Sequence, residues 1–159
     1  MKGEPAERLD PRAITLWRIT GTLNILPLLI GAGIVALALS RFGSVSFLFG
    51  ILPVLAVLVL ACVVVGVAPG LRWKMWRYEI RPDEVDLQRG IFWISRTLVP
   101  LARIQHVDTR QGPLQRRFGL STVVFYTAAG PNQIPELSTP VAAEVRDRIA
   151  ELTREQDEL

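Results

Sequence analysis

The stretch RIQHVDTRQGPLQRRFGL, residues 103–120, contains the only histidine of the chain together with four arginines. His106 and Asp108 are two residues apart, so both side chains face the same side of an extended strand. An imidazole beside a carboxylate is the arrangement of a general base, which needs a nucleophile to activate. The sequence has no G-x-S-x-G motif, and its single cysteine, Cys62, lies in an apolar segment. We therefore expect no catalytic residue and interpret His106 as a partly exposed strand histidine.

Motifs for nucleotides and metals are equally lacking in the sequence. No G-x-x-x-x-G-K-[ST] or G-x-G-x-x-G pattern occurs. Gly31 and Gly33 lie within an apolar run, where small residues serve helix packing. One cysteine and one histidine cannot provide a metal-ligand spacing. The sequence predicts neither a cofactor nor a metal site, and it does not predict an enzyme.

Two long apolar segments set the class of the protein. Residues 19–39 and 45–67 contain no charged residue, and each is long enough, at about 1.5 Å per residue, to cross a hydrocarbon core of about 30 Å. The first is too long for the core of a signal peptide, and a second segment follows it at once. The connection, residues 40–44, permits only a tight antiparallel hairpin. The sequence thus predicts two transmembrane helices.

The predicted organisation has four parts. They are a cytoplasmic N-terminal lead (1–18), a transmembrane hairpin (19–69), a cytoplasmic domain (70–155) and a short tail (156–159). Basic residues flank the hairpin at both outer ends, whereas the connection carries Arg41 alone; the flanking residues are Lys2, Arg8, Arg12 and Arg18 before it and Arg72, Lys74, Arg77 and Arg81 after it. The positive-inside rule then predicts that both termini lie in the cytoplasm.

The domain carries an excess of basic charge beside its membrane anchor. Residues 72–117 contain ten Lys or Arg against five acids, and basic groups near an anionic leaflet gain about 1 kcal/mol each. We expect lipid-surface contacts at Arg72, Lys74, Arg77, Arg116 and Arg117, and interfacial anchors at Trp73, Trp76 and Tyr78. The alternative is that the flanking arginines only obey the positive-inside rule. Nucleic-acid binding is disfavoured, because the aromatic residues cluster at the membrane edge and not among the strand arginines.

Residues 70–155 show the pattern of strands followed by one helix. Alternating or β-branched runs predict strands at 76–80, 85–90, 91–100, 102–110 and 121–128, with 132–137 as a further short strand or an extended loop. Between the fourth and fifth strands, Pro113 and Gly119 predict a helical turn that closes in a left-handed conformation. Leu114 and Phe118, four residues apart, are then expected to point inward together.

A C-terminal helix completes the predicted domain. Thr139 is a capping residue with proline next to it. Val141, Val145, Ile149 and Leu152 form one apolar stripe. A small sheet must bend to hide its apolar face, and the helix can cover the open side. The expected fold is a two-helix membrane hairpin with a small, mainly-β barrel of about seven strands capped by a C-terminal helix.

Several ordered motifs resemble one family. They are Tyr78-x-Ile80, Leu87-x-x-Gly90, VPLARIQHV (99–107) and QGPLQRRFGL (111–120). Together they resemble the bacterial pleckstrin-homology-like membrane proteins of the YdbS type. The resemblance implies a PH-like barrel, no established catalytic residues, and larger relatives with several such domains. An OB-like barrel of the NfeD type is a rival architecture, but the closing helix over 139–153 favours the PH-like one.

The sequence leaves several functions open. The leading hypothesis is a non-catalytic, membrane-anchored interaction module that assembles as a homo-oligomer or with a related PH-like membrane protein. The second is an anionic-lipid-sensing accessory in an envelope-stress response, with membrane lipid as its partner. Asn24, within the first apolar segment, fits an interhelical hydrogen bond. A transport site there is disfavoured, because the segments carry no embedded charge.

Overall fold

The computed structural model describes residues 3–42 and 47–157. The chain divides into two compact units. One unit is Trp17–Gly70, and the other combines Met1–Leu16 with Leu71–Leu159. Residues 1–18 were predicted to be a separate lead, whereas in the structure most of this segment belongs to the same unit as the C-terminal domain.

The first unit contains most of two long helices, whose outer ends belong to the other unit. Helix α1 spans Arg12–Phe42, and the second helical stretch comprises α2 (Phe47–Ala61), a π-helical turn (Cys62–Val67) and α3 (Ala68–Met75). Both stretches are long and apolar enough to cross a membrane, as predicted. Of the predicted connection at 40–44, residues 40–42 continue α1, and residues 43 and 44 lie outside the described part of the chain.

Small residues bring the two helices into contact within this unit. A Cβ at Gly21 would lie 3.4 Å from a side-chain carbon of Val65, so the chains pack closely there. Arg18 donates a hydrogen bond of 3.4 Å to the carbonyl of Gly66. The outward apolar side chains of both helices, such as Leu28 and Val59, are more than half exposed. Such faces suit a hydrocarbon solvent.

The second unit begins with a four-stranded antiparallel sheet in the order β1-β2-β3-β4. Its strands are β1 (Glu7–Arg8), β2 (Arg77–Ile80), β3 (Glu84–Arg89) and β4 (Ser95–Pro100). Glu7 pairs with Tyr78 and Arg8 with Arg77. The sequence analysis did not predict β1. Because β1 and β2 are neighbours, both ends of the helical hairpin connect to one sheet.

A three-stranded antiparallel sheet, β5-β6-β7, faces a C-terminal helix. A 3-10 turn (Leu101–Arg103) leads into it; the sheet and its helices are β5 (Ile104–Arg110), α4 (Pro113–Phe118), β6 (Leu120–Thr127), β7 (Gly130–Ser138) and α5 (Thr139–Asp157). The segment predicted as a short strand or loop at 132–137 is the centre of β7. Helix α5 packs against all three strands and the 3-10 turn. The structure thus confirms seven strands with a capping helix.

Three details of the helices differ from expectation. In α5 the buried residues are Ala142, Val145 and Ile149, while Val141 is 38% exposed. The predicted stripe was therefore rotated by one residue at its start, because the small Ala142 fits closest to the sheet. In α4, Phe118 is only half-buried, so it contributes less to the core than the sequence predicted. The helix α5 also extends into the predicted tail as far as Asp157, and Gln156 donates to the carbonyl of Pro82.

Strand β3 is buried on both faces, whereas its alternating pattern predicted one buried and one exposed face. Val85 and Leu87 face the core, and Asp86 and Gln88 are buried as well. Asp86 is fully buried and accepts hydrogen bonds from Arg96 at 2.6–3.2 Å. Arg96 also donates to the carbonyl of Gly3 at 2.7 Å. The N-terminal segment therefore covers the second face of this strand.

Candidate functional site

His106 lies on the outer surface of β5. Its ring stacks on Tyr126, with centroids 4.2 Å apart, and its Nε2 is 3.9 Å from Asp108 Oδ2, with both side chains more than half exposed. The Arg110 guanidinium lies 5.7 Å from the Tyr126 ring centroid and hydrogen-bonds its hydroxyl. This is a solvated stack of side chains, and no serine or cysteine nucleophile belongs to it.

Two of the three predicted interfacial anchors are core residues. Trp76 is 4% exposed and Tyr78 is 2% exposed. Burial raises the pKa of the Tyr78 phenol above its ordinary value, and its hydrogen bond with Glu7 acts in the same direction. The prediction of interfacial anchors was wrong for these two, because Tyr78 lies on the inward face of β2 and Trp76, directly before β2, is buried as well. Trp73 is half-buried, and its Nε1 donates to the carbonyl of Leu9.

The predicted basic contacts occupy different settings. Lys74, Arg116 and Arg117 are exposed. Arg77 is half-buried and pairs with Glu4 at 3.3 Å. Arg72 is exposed as a residue, yet burial of its guanidinium lowers its pKa, and the charge of Glu136 opposes this shift. The structure therefore leaves three of the five as solvated cations, pairs Arg77 with a carboxylate and partly buries the Arg72 guanidinium.

Helix α4 presents Arg116 and Arg117 outward because its two ends are fixed. At its start, the Gly112 amide donates to Gln115 Oε1 at 2.9 Å. At its end, Gly119 has φ 64°, the left-handed conformation that glycine adopts without cost. Arg12 donates to the carbonyl of Phe118 at 2.8 Å. The predicted strand, helical turn and left-handed glycine are confirmed here.

Gln115 connects α4 to a buried carboxylate in β7. Its Nε2 donates to Thr122 Oγ1 at 2.9 Å and to Glu136 Oε2 at 3.1 Å. Glu136 is buried and has φ 52°, an unusual conformation for a residue with a side chain. Its backbone carbonyl accepts a hydrogen bond from the Asp10 amide. The N-terminal segment, α4 and β7 thus meet at Glu136.

A cleft of about 400 Å³ lies beside the loop between β3 and β4. Its walls include Arg72, Trp76, Arg89, Trp93 and Ser95. The loop also carries Phe92 and Ile94, and Phe92, Trp93 and Ile94 are 89%, 87% and 61% exposed. We call residues Gly90–Ile94 the aromatic loop. Two arginines at an apolar rim make this the most distinctive surface of the described part of the second unit.

The sequence analysis missed the aromatic loop because it assigned residues 91–100 to one strand. In the structure only Ser95–Pro100 is extended, and the preceding residues form a turn. The signal was present: Ile91 to Ile94 are four consecutive apolar residues after a glycine, and they do not alternate. An uninterrupted run of apolar residues does not fit a strand that has one solvent-exposed face.

Within residues 3–42 and 47–157, no group of three His, Cys, Asp or Glu is arranged to hold a metal ion. Cys62 is exposed on the helical unit. The exposed cations and the aromatic loop can bind surfaces by charge and by apolar contact.

Comparison with known proteins agrees with this architecture. The bacterial PH domain family matches residues 25–153. The chain is 36% identical to the UPF0699 transmembrane protein YdbS of Bacillus subtilis (strain 168), over 99% of both chains. It is also 27% identical, over 81 residues and 51% of its length, to the UPF0699 transmembrane protein YdbT of the same organism, of which the match spans 16%. No solved structure matches the chain significantly.

The two apolar helices and the seven strands capped by a helix define a membrane protein with a PH-like domain. The chain belongs to the bacterial PH domain family. The resemblance found in the sequence motifs is thereby confirmed.

Proposed function

We propose that this chain is a non-catalytic membrane-anchored module whose hairpin assembles with a second copy or with a related PH-like membrane protein. The observation that supports this proposal is Asn24, an exposed side chain of α1. Its amide makes no hydrogen bond to any of residues 3–42 and 47–157. A polar amide in hydrocarbon without a partner is costly, and neighbouring helices commonly satisfy it.

The surroundings of Asn24 favour a helix–helix contact. Leu28, Gly31, Val35 and Ala38 follow it at spacings of three or four and lie on the same helix face. All four are exposed. A Cβ at Gly31 would meet nothing within 4 Å, so this face has room for the backbone of another helix. Close approach between small residues is the usual mode of helix packing in membranes.

The proposal is tested by co-expressing two differently tagged copies of the full chain and purifying them in detergent. Asn24→Leu is expected to weaken association about fivefold per lost hydrogen bond, since such a bond contributes about 1 kcal/mol. Asn24→Gln keeps an amide and should restore binding. Thr22→Val is the matched control, because the Thr22 hydroxyl already donates to the carbonyl of Arg18 at 2.9 Å.

Purification at native expression identifies the partner. A homo-oligomer supports self-assembly, and a second integral protein of related sequence supports a mixed complex. A strictly monomeric chain without any integral partner, together with an Asn24→Leu variant that behaves like the wild type, would overturn the proposal.

A second candidate function is the sensing of anionic lipid in an envelope-stress response. It is favoured by the exposure of Lys74, Arg116 and Arg117, because each cation near an anionic surface gains about 1 kcal/mol. Full-length protein in nanodiscs of neutral or anionic lipid provides the test. A fragment starting at residue 70 is unsuitable, because it lacks β1 and the buried Leu9. Identical behaviour in both lipids would contradict this function.

For the topology we propose that both ends of the hairpin lie in the cytoplasm, at the inner membrane of a bacterium. Support comes from the basic residues at both outer ends and from the pairing of β1 with β2, which flank the hairpin in sequence. A reporter fused after Leu159 is expected to be active only in the cytoplasm. Activity outside the cell would contradict this orientation.

A further inference from the structure

The aromatic loop exposes more apolar side chain than any other described segment of Leu71–Leu159. Phe92 and Trp93 are almost fully solvent-accessible, while the remaining exposed large apolar residues of that segment, Leu71, Leu98 and Val141, are 38–46% exposed. Contiguous exposed apolar residues mark interaction sites. We therefore expect the aromatic pair at the tip of this loop to contact an apolar or interfacial environment.

The loop holds these side chains in a defined shape. Gly90 has φ 122°, and a Cβ at this position would lie 1.8 Å from the carbonyl oxygen of Trp93. Only glycine permits this close approach of backbone. The chain thus turns tightly between β3 and β4, and this turn presents Phe92 and Trp93 at its tip.

Charge at the loop points to an anionic occupant. Arg72 and Arg89 line the cleft, with no acidic residue among the lining groups. Arg89 is exposed and forms no ion pair with the described part of the chain. Burial lowers the pKa of the Arg72 guanidinium, and the charge of Glu136 opposes this shift. A guanidinium pair suits the oxygens of a phosphate group.

The covalent connection of Arg72 to the second apolar segment indicates which anion lies near the cleft. Arg72 belongs to α3, and it follows Val67, the last residue of the predicted apolar segment, by five positions. Five helical residues extend about 7.5 Å, which is close to the depth of one headgroup layer. Arg72, and with it the cleft, is therefore held within reach of lipid phosphates.

We propose that the aromatic loop inserts Phe92, Trp93 and Ile94 into the interface of the bilayer that anchors the chain, and that Arg72 and Arg89 bind the phosphate of an anionic phospholipid in the adjacent cleft. Aromatic side chains are favoured at that depth. This contact goes beyond assembly through Asn24 and does not depend on it, since it uses residues of the other unit.

Tryptophan fluorescence of the full chain in nanodiscs tests the proposal. Discs contain phosphatidylcholine alone or with phosphatidylglycerol, and the quencher is a lipid brominated on its acyl chains near the headgroup. The difference between wild type and Trp93→Phe isolates Trp93. We expect this signal to be blue-shifted and quenched by the brominated lipid, more strongly when phosphatidylglycerol is present. Trp73→Phe is the control for a half-buried indole that is hydrogen-bonded within the protein.

The arginine variants separate headgroup binding from simple insertion. Arg89→Gln should abolish the extra quenching that phosphatidylglycerol produces, whereas Arg117→Gln, which removes an exposed cation outside the cleft, should retain it. Trp93 emission at the wavelength of a water-exposed indole, without quenching, would overturn the proposal. A blue shift that is not accompanied by lipid quenching, and that grows with the number of chains per disc, would also overturn the proposal, because the loop would then contact protein.

Discussion

The indole Nε1 of Trp73 donates a hydrogen bond of 2.9 Å to the carbonyl of Leu9, joining the end of the second long helix to the N-terminal segment. The Arg8 guanidinium lies 5.6 Å from the same ring's centroid, within cation–π range. Leu9 itself is 2% exposed. The N-terminal segment is thus a part of the folded domain, and its removal would open the core.

Leu9→Ala should therefore lower the free energy of unfolding by about 2–4 kcal/mol, through lost transfer energy and the cavity that remains. The measurement is denaturant or thermal unfolding of the full chain in detergent micelles. Leu98→Ala is the matched control, since Leu98 is 46% exposed, and it should change stability by only about 0.5 kcal/mol. Equal losses would show that the segment is not packed as described.

Asp86→Asn should destabilise the domain by about 1.5–3 kcal/mol, because it weakens the charge-assisted hydrogen bonds that a fully buried side chain accepts from Arg96. The hydrogen bond with Asp86 raises the pKa of Arg96 above its ordinary value. Glu79→Gln removes a partly exposed carboxylate that bonds Arg81 at 2.7 Å. Unfolding measurements should rank Asp86→Asn well below this control, and the reverse order would contradict the role of Asp86.

Stability should fall at alkaline pH because of Tyr78. Its pKa is raised in the folded state above the ordinary value of 10.0, first by burial. The unfolded state therefore ionises first, so the stabilisation is complete below that value and is lost as pH rises through the folded pKa. Unfolding free energies measured from about pH 9 to 11.5 should show this decline. Tyr126→Phe should keep this decline, and Tyr78→Phe should remove most of it. If the unfolding free energy of Tyr78→Phe fell with pH as steeply as that of the wild type, another group would be responsible for the decline.

Gly90→Ala should be more costly than Gly130→Ala. Both glycines have nearly the same φ, 122° and 123°, but only Gly90 faces a backbone atom where the new Cβ would lie. The shared dihedral strain is about 1–3 kcal/mol, and the clash should add about 1 kcal/mol or more at Gly90. Unfolding free energies of the two variants give the difference directly. Equal values would mean that the aromatic loop relaxes freely around the substitution.

Much of the fold was predictable because its signals are local. Charge-free segments predicted the two long helices, alternation predicted β2 and β3, and Thr139 with Pro140 predicted the start of α5. Periodicity also separated the strand at 104–110 from the helical turn that begins at Pro113. Each of these features depends on residues close together in sequence.

The features that sequence analysis missed depend on distant residues. Strand β1 has two residues, which is too short for a periodic signal, and it exists because β2 offers a free edge. Trp76 and Tyr78 stand among arginines in the sequence, yet both are buried, Tyr78 through the pairing of β2 with its neighbouring strands. The aromatic loop was predicted as a strand because aromatic residues are common in strands. That propensity describes how well a side chain fits a sheet surface, and it does not detect a turn.

The insertion of the hairpin between β1 and β2 also imposes an order on biosynthesis. Strand β1 leaves the ribosome first, but its partner follows only after both apolar helices have been synthesised. Domains fold as units during translation, and this one cannot complete its first sheet until that point. Completion of the first sheet therefore depends on correct formation of the helical hairpin. In a nascent chain with a misplaced hairpin, the N-terminal segment stays unpaired and Leu9 stays exposed, and chaperones and proteases recognise such a state.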